Sequence, residues 1–212
     1  MYGRSALEAV INSFLLVFAG EMGDKTQLLS LVLASRYKKP WTIMAGVLVA
    51  TLVNHAMASW VGEVAASFLS PQALRWTLAI IFFAFAAWIL VPDKEGEVKE
   101  TGHFGAFVTT VISFFLAEMG DKTQLATIAL GARYSSTVLV TLGTTAGMLA
   151  SNALAIFLGH KLLARIPMKW VRAFASVLFV VFGIAVLMGV GQSENQTPPP
   201  SQPPTVISGQ QP

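Results

Sequence analysis

The chain has no cysteine and only three histidines among its 212 residues. Without cysteine there is no disulfide framework, no thiolate metal site and no c-type haem attachment. Three histidines leave little material for a multi-histidine metal or haem centre, so no prosthetic group is expected. Charge is scarce as well. Asp, Glu, Lys and Arg make up 12% of the chain, about half of what a soluble domain carries. The net charge of +3 is small, and the basic residues lie at the ends of apolar runs, where they report topology and not nucleic-acid binding. The N-terminus lacks a basic n-region and a small-residue cleavage site, so no removable signal peptide is expected.

Apolar residues, by contrast, make up 54% of the chain and come in runs of membrane-spanning length. Six spans can be drawn, at 6–35, 42–66, 74–91, 104–133, 137–160 and 171–190. These suit helices crossing a hydrocarbon core of about 30 Å, some of them tilted or broken. The expected fold is an all-α membrane protein in contact with a lipid bilayer, the cell (inner) membrane if the protein is bacterial.

The first and fourth spans carry the same polar insertion. Glu21-Met22-Gly23-Asp24-Lys25-Thr26-Gln27-Leu28 recurs letter for letter as Glu118-Met119-Gly120-Asp121-Lys122-Thr123-Gln124-Leu125. An Asp or Lys at the centre of a membrane helix costs about 2.5–3.5 kcal/mol even on lenient insertion scales. A chain that accepts this cost twice is building something polar at mid-membrane. Gly20, Gly23 and Gly120 lie beside the acids, where a helix can unwind and expose backbone carbonyls.

The two halves align without gaps 97 residues apart. Arg36-Tyr37 falls on Arg133-Tyr134, Gly46 on Gly143, Gly62 on Gly159 and Arg75 on Arg172. This predicts a duplicated three-helix unit, residues 1–91 and 104–190. Because three is odd, the second unit enters the membrane inverted, an arrangement that places a substrate site between the halves near the midplane. With six spans, Arg36, Lys38, Lys39, Lys94, Lys99, Lys161, Arg165, Lys169 and Arg172 share one side, and Arg4, Arg75 and Arg133 the other. The richer side faces the cytoplasm, which puts both termini outside. Trp41, Trp88 and Trp170 then lie at the cytoplasmic ends of spans, with Trp60 and Trp76 at the outer interface. Residues 92–103 read as a charged cytoplasmic linker. The Pro-rich tail 191–212 cannot bury apolar area and is expected to be disordered.

On a continuous helix, Glu21, Asp24 and Gln27 share a face, as do Glu118, Asp121 and Gln124. Brought together, these faces supply four carboxylates and two amide oxygens, a hard set suited to Ca2+, Mn2+ or Mg2+. Thr26 and Thr123 can add hydroxyls if the helix is distorted. Lys25 follows Glu21 by four residues and Lys122 follows Glu118 likewise, the spacing of same-helix ion pairs. Four carboxylates and two ammonium groups leave a formal charge of −2, which one divalent cation or two protons cancels. Metal and proton therefore compete for the same carboxylates. The plainer reading makes the Glu–Lys pairs simple helix locks, but it leaves Asp24 and Asp121 without a purpose. Asn54 and His55 align with Ser151 and Asn152. Asn54, His55 and Asn152 either line an ion path or hydrogen-bond across helices. Met22 and Met119 adjoin the acids, yet on a regular helix they are rotated about 100° away from them.

The paired motif resembles the signature of a family of small membrane proteins defined by two E-x-G-D-(K/R)-(T/S) sequences. That family includes Golgi and chloroplast transporters implicated in Mn2+ and Ca2+ exchange for protons, and bacterial Mn2+ exporters. The resemblance covers about residues 6–190, and the short chain and linker are similar to the bacterial branch. It implies that Glu21, Asp24, Glu118 and Asp121 bind the cation, with Lys25, Thr26, Lys122 and Thr123 supporting them. The expected function is export of a divalent cation, Mn2+ or else Ca2+, in exchange for protons. A non-transporting membrane scaffold is the reading from another class. An intramembrane aspartyl hydrolase is disfavoured, since no helix-kinking proline accompanies the acids.

Overall fold

The computed structural model describes residues 2–91, 105–163 and 167–190. Within them the chain is helical throughout: α1 (Tyr2–Glu21), α2 (Lys25–Tyr37), α3 (Pro40–Ala66), α4 (Pro71–Trp88), α5 (Ala106–Glu118), α6 (Lys122–Tyr134), α7 (Thr137–Leu163) and α8 (Met168–Leu187). The charged stretch 92–103 and the Pro-rich stretch 191–212 lie outside the described residues.

The helix boundaries follow local chemistry. Pro40 and Pro71 open α3 and α4, where a missing N–H is harmless. The Ser70 hydroxyl caps α4 by accepting from the Ala73 N–H at 3.3 Å. α2 and α6 each end on a residue in the left-handed region, Lys38 and Ser135, whose N–H groups return to the Ala34 and Gly131 carbonyls. The starts of α2, α3 and α6, α7 stand 97 residues apart, as the sequence repeat requires.

The first and fourth apolar spans are each divided at the motif, so the six runs drawn from hydropathy become eight helices among the described residues. α1 and α2 meet at a bend of 74°. Four helices (α3, α4, α7 and α8) are long and apolar enough to cross a membrane, and the bent pair α1–α2 would add a fifth. The hydrophobic stretch saw through the break because apolar residues flank it on both sides.

Many large apolar side chains lie on the surface, as lipid contact demands. Ile80, Leu116, Val138, Phe174 and Val177 are exposed, and all five tryptophans face outward. Inside, one cluster joins α1, α4, α6 and α8 through Leu16, Phe82, Leu130 and Phe179, and a second joins α2, α3 and α5 through Leu33, Ile43, Val47 and Phe114. Lipid tails are as apolar as leucine, so close packing and interhelical hydrogen bonds hold such an interior together. Small residues make the close approach possible. A methyl group on Gly46 would lie 2.7 Å from Thr110 Cβ on α5, and one on Gly143 would lie 2.8 Å from Ser13 Cβ on α1. Ser13 and Thr110 are themselves equivalent in the two halves, so α1 rests on α7 as α5 rests on α3.

Candidate functional site

Both copies of the motif form the same break. α1 ends at Glu21 and α2 begins at Lys25; α5 ends at Glu118 and α6 begins at Lys122. Between them Gly23 (φ 80°) and Gly120 (φ 78°) occupy the left-handed region, which residues with a Cβ reach at a cost of roughly 1–2 kcal/mol. Asp24 and Asp121 then take the N-cap positions of α2 and α6 without capping them by side-chain hydrogen bonds. The glutamines three residues on brace the turn instead. The Gly23 N–H donates to Gln27 Oε1 at 2.9 Å, and the Gly120 N–H donates to Gln124 Oε1 at 2.7 Å. The bond resembles the reach-back half of a capping box moved one residue back, to the glycine before the N-cap, and the aspartate charges stand at helix N-termini, where the dipole favours them.

The continuous-helix expectations change accordingly. Glu21 and Asp24 do not share a helical face, because the chain turns between them. The amide oxygens of Gln27 and Gln124 each accept an N–H of their own turn. The same-helix pairs Glu21–Lys25 and Glu118–Lys122 do not form as expected. Instead the lysines cross between the copies: Lys25 Nζ lies 2.9 Å from Asp121 Oδ1, and Lys122 Nζ lies 3.9 Å from Asp24 Oδ1. The turn carries each ammonium group away from its own helix and towards the aspartate of the other half.

All four carboxylates are buried: Glu21 and Glu118 are 1% exposed, Asp24 7% and Asp121 8%. Glu21, Glu118 and Asp121 each offer an oxygen within 4.8 Å of the others. Their surroundings differ. Glu21 accepts hydrogen bonds from Thr26, at 2.7 Å, and from Thr123 of the other copy. Neither oxygen of Glu118 has a hydrogen-bond partner among the described residues. Two unpartnered buried carboxylate oxygens are costly, and a hard cation or a proton relieves that cost.

The candidate path residues separate. Asn54 Nδ2 donates to the Phe115 carbonyl on α5 at 3.1 Å, a cross-helix bond. Asn152 Nδ2 donates within its own helix, to the Met148 carbonyl at 3.0 Å. His55 is fully buried with both ring nitrogens unpartnered among the described residues. Gln27 Nε2 donates to the Ser151 carbonyl at 2.9 Å, which ties the first motif to α7. Met119 is 52% exposed, whereas the Met22 sulfur lies 3.7 Å from Gln27 Nε2. A narrow cleft reaches the motif between α1, α4, α6 and α8. Leu16, Phe85 and Phe179 line its apolar wall, and Asp24, Asp121 and Thr123 its polar end.

Two contacts explain recurring residues to which the sequence reading gave no role. Asn12 Nδ2 donates to the Tyr134 hydroxyl at 2.7 Å, and the Tyr37 hydroxyl donates to Thr109 Oγ1 at 3.2 Å. The tyrosine of the repeated Arg-Tyr pair thus ties α6 to α1 and α2 to α5, and its recurrence in both halves was the available signal.

A family model described as "Divalent cation/proton antiporter GDT1" matches the chain twice, over residues 9–97 and 106–194. The two matches are offset by the same 97 residues as the motif. A Vibrio cholerae protein described as "Putative manganese exporter" is 46% identical over 170 residues, covering 80% of this chain and 85% of its own. GDT1-like protein 3 of Arabidopsis thaliana is 26% identical over 209 residues, covering 85% of this chain and 71% of its own. A rice relative, "GDT1-like protein 2, chloroplastic", is 30% identical over 210 residues, covering 84% of this chain and 60% of its own. No solved structure matches the chain.

Proposed function

The chain belongs to the GDT1 family of divalent cation/proton antiporters, and on that premise we propose that it exports Mn2+ from the cytoplasm in exchange for protons, through Glu21, Asp24, Glu118 and Asp121. One observation carries the reading: three buried carboxylates from opposite halves, Glu21, Glu118 and Asp121, converge within 4.8 Å. Like charges this close are stable only with a compensating cation or protons.

In this reading residues 1–91 and 104–190 are inverted three-helix repeats, with the broken pairs α1–α2 and α5–α6 each serving as one span and both termini outside. The reciprocal packing of α1 on α7 and α5 on α3 supports this. Four carboxylates and the two crossed lysines leave a formal −2. One Mn2+ entering from the cytoplasm balances that charge, and about two protons entering from outside displace it. Lys25 and Lys122 tether the aspartates across the halves, Thr26 and Thr123 orient Glu21, and Gln27 and Gln124 hold the turns. The name carried by the Vibrio relative favours Mn2+. Ca2+ is the alternative cargo, because an all-oxygen donor set serves both ions.

The test is Mn2+ uptake into inverted membrane vesicles under an imposed pH gradient. Wild type is expected to accumulate Mn2+, and Glu21→Gln and Asp121→Asn to lose most of that uptake. Equal uptake in all three removes these carboxylates from the mechanism.

A further inference from the structure

The two halves share a sequence pattern but not a packing. On one side α3 and α6 are in backbone contact. A methyl on Gly62 would collide with the Ile128 carbonyl, and one on Gly131 with the Ser59 backbone. Ala132, on the same stretch of α6, is 7% exposed. The equivalent junction 97 residues away is between α2 and α7, where Gly62 becomes Gly159, Ile128 becomes Leu31, and Ala132 becomes Ser35. There the helices meet at Gln27 and Ser151 but part towards Gly159. An open groove lies between them, lined by Leu28, Leu31, Ala34, Ser35, Ile156 and Gly159. Among the described residues nothing lies within 4 Å of a methyl built on Gly159, and Ser35 is exposed. The groove extends along α2 to Leu28, the residue after Gln27 of the motif.

Two further differences accompany this. α3 runs through Gly62 as unbroken helix, whereas α7 is kinked at Gly159, with φ 72° and ψ 172°. The closed junction is also latched. Glu63 Oε2 on α3 accepts from the Thr137 N–H at 2.8 Å and from its hydroxyl at 2.6 Å, holding the α6–α7 turn against α3. The equivalent of Thr137 is Pro40, which has no N–H to donate.

We propose that these junctions are the two gates of the transporter, α3–α6 closed and α2–α7 open in this conformation, and that transport exchanges their states. This rests on the inverted-repeat reading above: in an inverted repeat, equivalent junctions lie at opposite faces, and swapping their conformations gives the opposite-facing state. In that state α7 straightens at Gly159 and closes on α2, Glu63 releases Thr137, and α3 parts from α6. Gly62, Glu63, Gly131 and Gly159 are positioning residues for the exchange and do not touch the cation.

The chain has no cysteine, so single reporters can be introduced directly. Ser35→Cys and Ala132→Cys are labelled with a charged maleimide on purified protein. With the opposite state populated at about 10% or less, Ser35→Cys is expected to react at least tenfold faster. Glu63→Ala and Gly159→Ala, each placed behind both reporters without metal, are expected to slow Ser35→Cys several-fold and speed Ala132→Cys. If Ala132→Cys fails to assemble, Ile128→Cys on the same helix replaces it. Reporters that move together, or that stay unchanged in both variants while Mn2+ uptake persists, overturn the gates. Wild type that moves no Mn2+ while the reporters still respond oppositely overturns the transport reading and leaves the gates standing.

Discussion

Thr123 gives its hydroxyl to Glu21, a residue of the other copy of the motif, and not to Glu118 of its own. Thr26 also donates to Glu21, so two identical sequences produce one carboxylate held by two hydroxyls and another, Glu118, with none among the described residues. A hydrogen bond to a charged group contributes about 1.5–3 kcal/mol. Thr123→Val is therefore expected to weaken Mn2+ binding by roughly ten- to a hundredfold, and Thr123→Ser to restore most of it. Titration of the purified protein with Mn2+ measures this. An unchanged affinity in Thr123→Val would mean that the hydroxyl does not orient the ligand.

Competition between metal and protons fixes the sign of the pH dependence. Metal binding requires ionised carboxylates, so affinity falls as pH falls. If about two protons replace each ion, the apparent Kd rises by about a hundredfold per pH unit at the steepest part of the profile. Glu118→Gln removes one exchangeable proton and is expected to reduce that slope towards tenfold. A wild-type Kd that does not vary with pH would contradict the exchange model.

The crossed ion pairs make a prediction that same-helix pairs would not. Lys25→Met leaves Asp121 buried without its partner at 2.9 Å. Breaking a buried pair costs about 3–5 kcal/mol, but Lys25 is partly open to solvent, with its side chain 29% exposed, so roughly 1–3 kcal/mol is expected. Thermal melts in detergent should show the loss. The second change Asp121→Leu should recover part of it, whereas Glu21→Leu should not. Rescue by Glu21→Leu alone would restore the pairing within one helix.

The motif, its duplication and its glycine-marked breaks were legible because an uncommon polar string in an apolar run has few explanations. The close approaches at Gly46 and Gly143 were less legible, since small residues at such spacing occur equally in ordinary packing. The partners of the lysines were not legible. Helical spacing assigns Lys25 to Glu21 only if the helix continues, and the turn at Gly23 removes that premise. The bonds from the Gly23 and Gly120 N–H groups to Gln27 and Gln124 were hidden by the same assumption, since a continuous helix would commit those N–H groups to carbonyls four residues back. An alignment shows that Pro40 stands opposite Thr137, but not which junction is parted, because the separation of the helices belongs to a conformation and not to the repeat.

The turns themselves can be tested apart from the ion. Gly23 and Gly120 have nearly the same φ, so replacement by alanine costs each about 1–2 kcal/mol of backbone strain. Their surroundings differ. A methyl on Gly23 would lie 2.7 Å from the Met168 sulfur, whereas one on Gly120 meets nothing within 4 Å among the described residues. Gly120→Ala thus isolates the backbone term, and Gly23→Ala adds a clash that the flexible methionine side chain relieves only in part. Gly23→Ala is expected to lower Tm more than Gly120→Ala, and Met168→Ala placed behind both is expected to remove the difference. Asparagine tolerates the left-handed region better than alanine, so Gly120→Asn should retain more stability than Gly120→Ala. If Gly120→Ala melts with wild type, the turn does not require a positive φ, and the helix break must be attributed to the aspartate and glutamine alone.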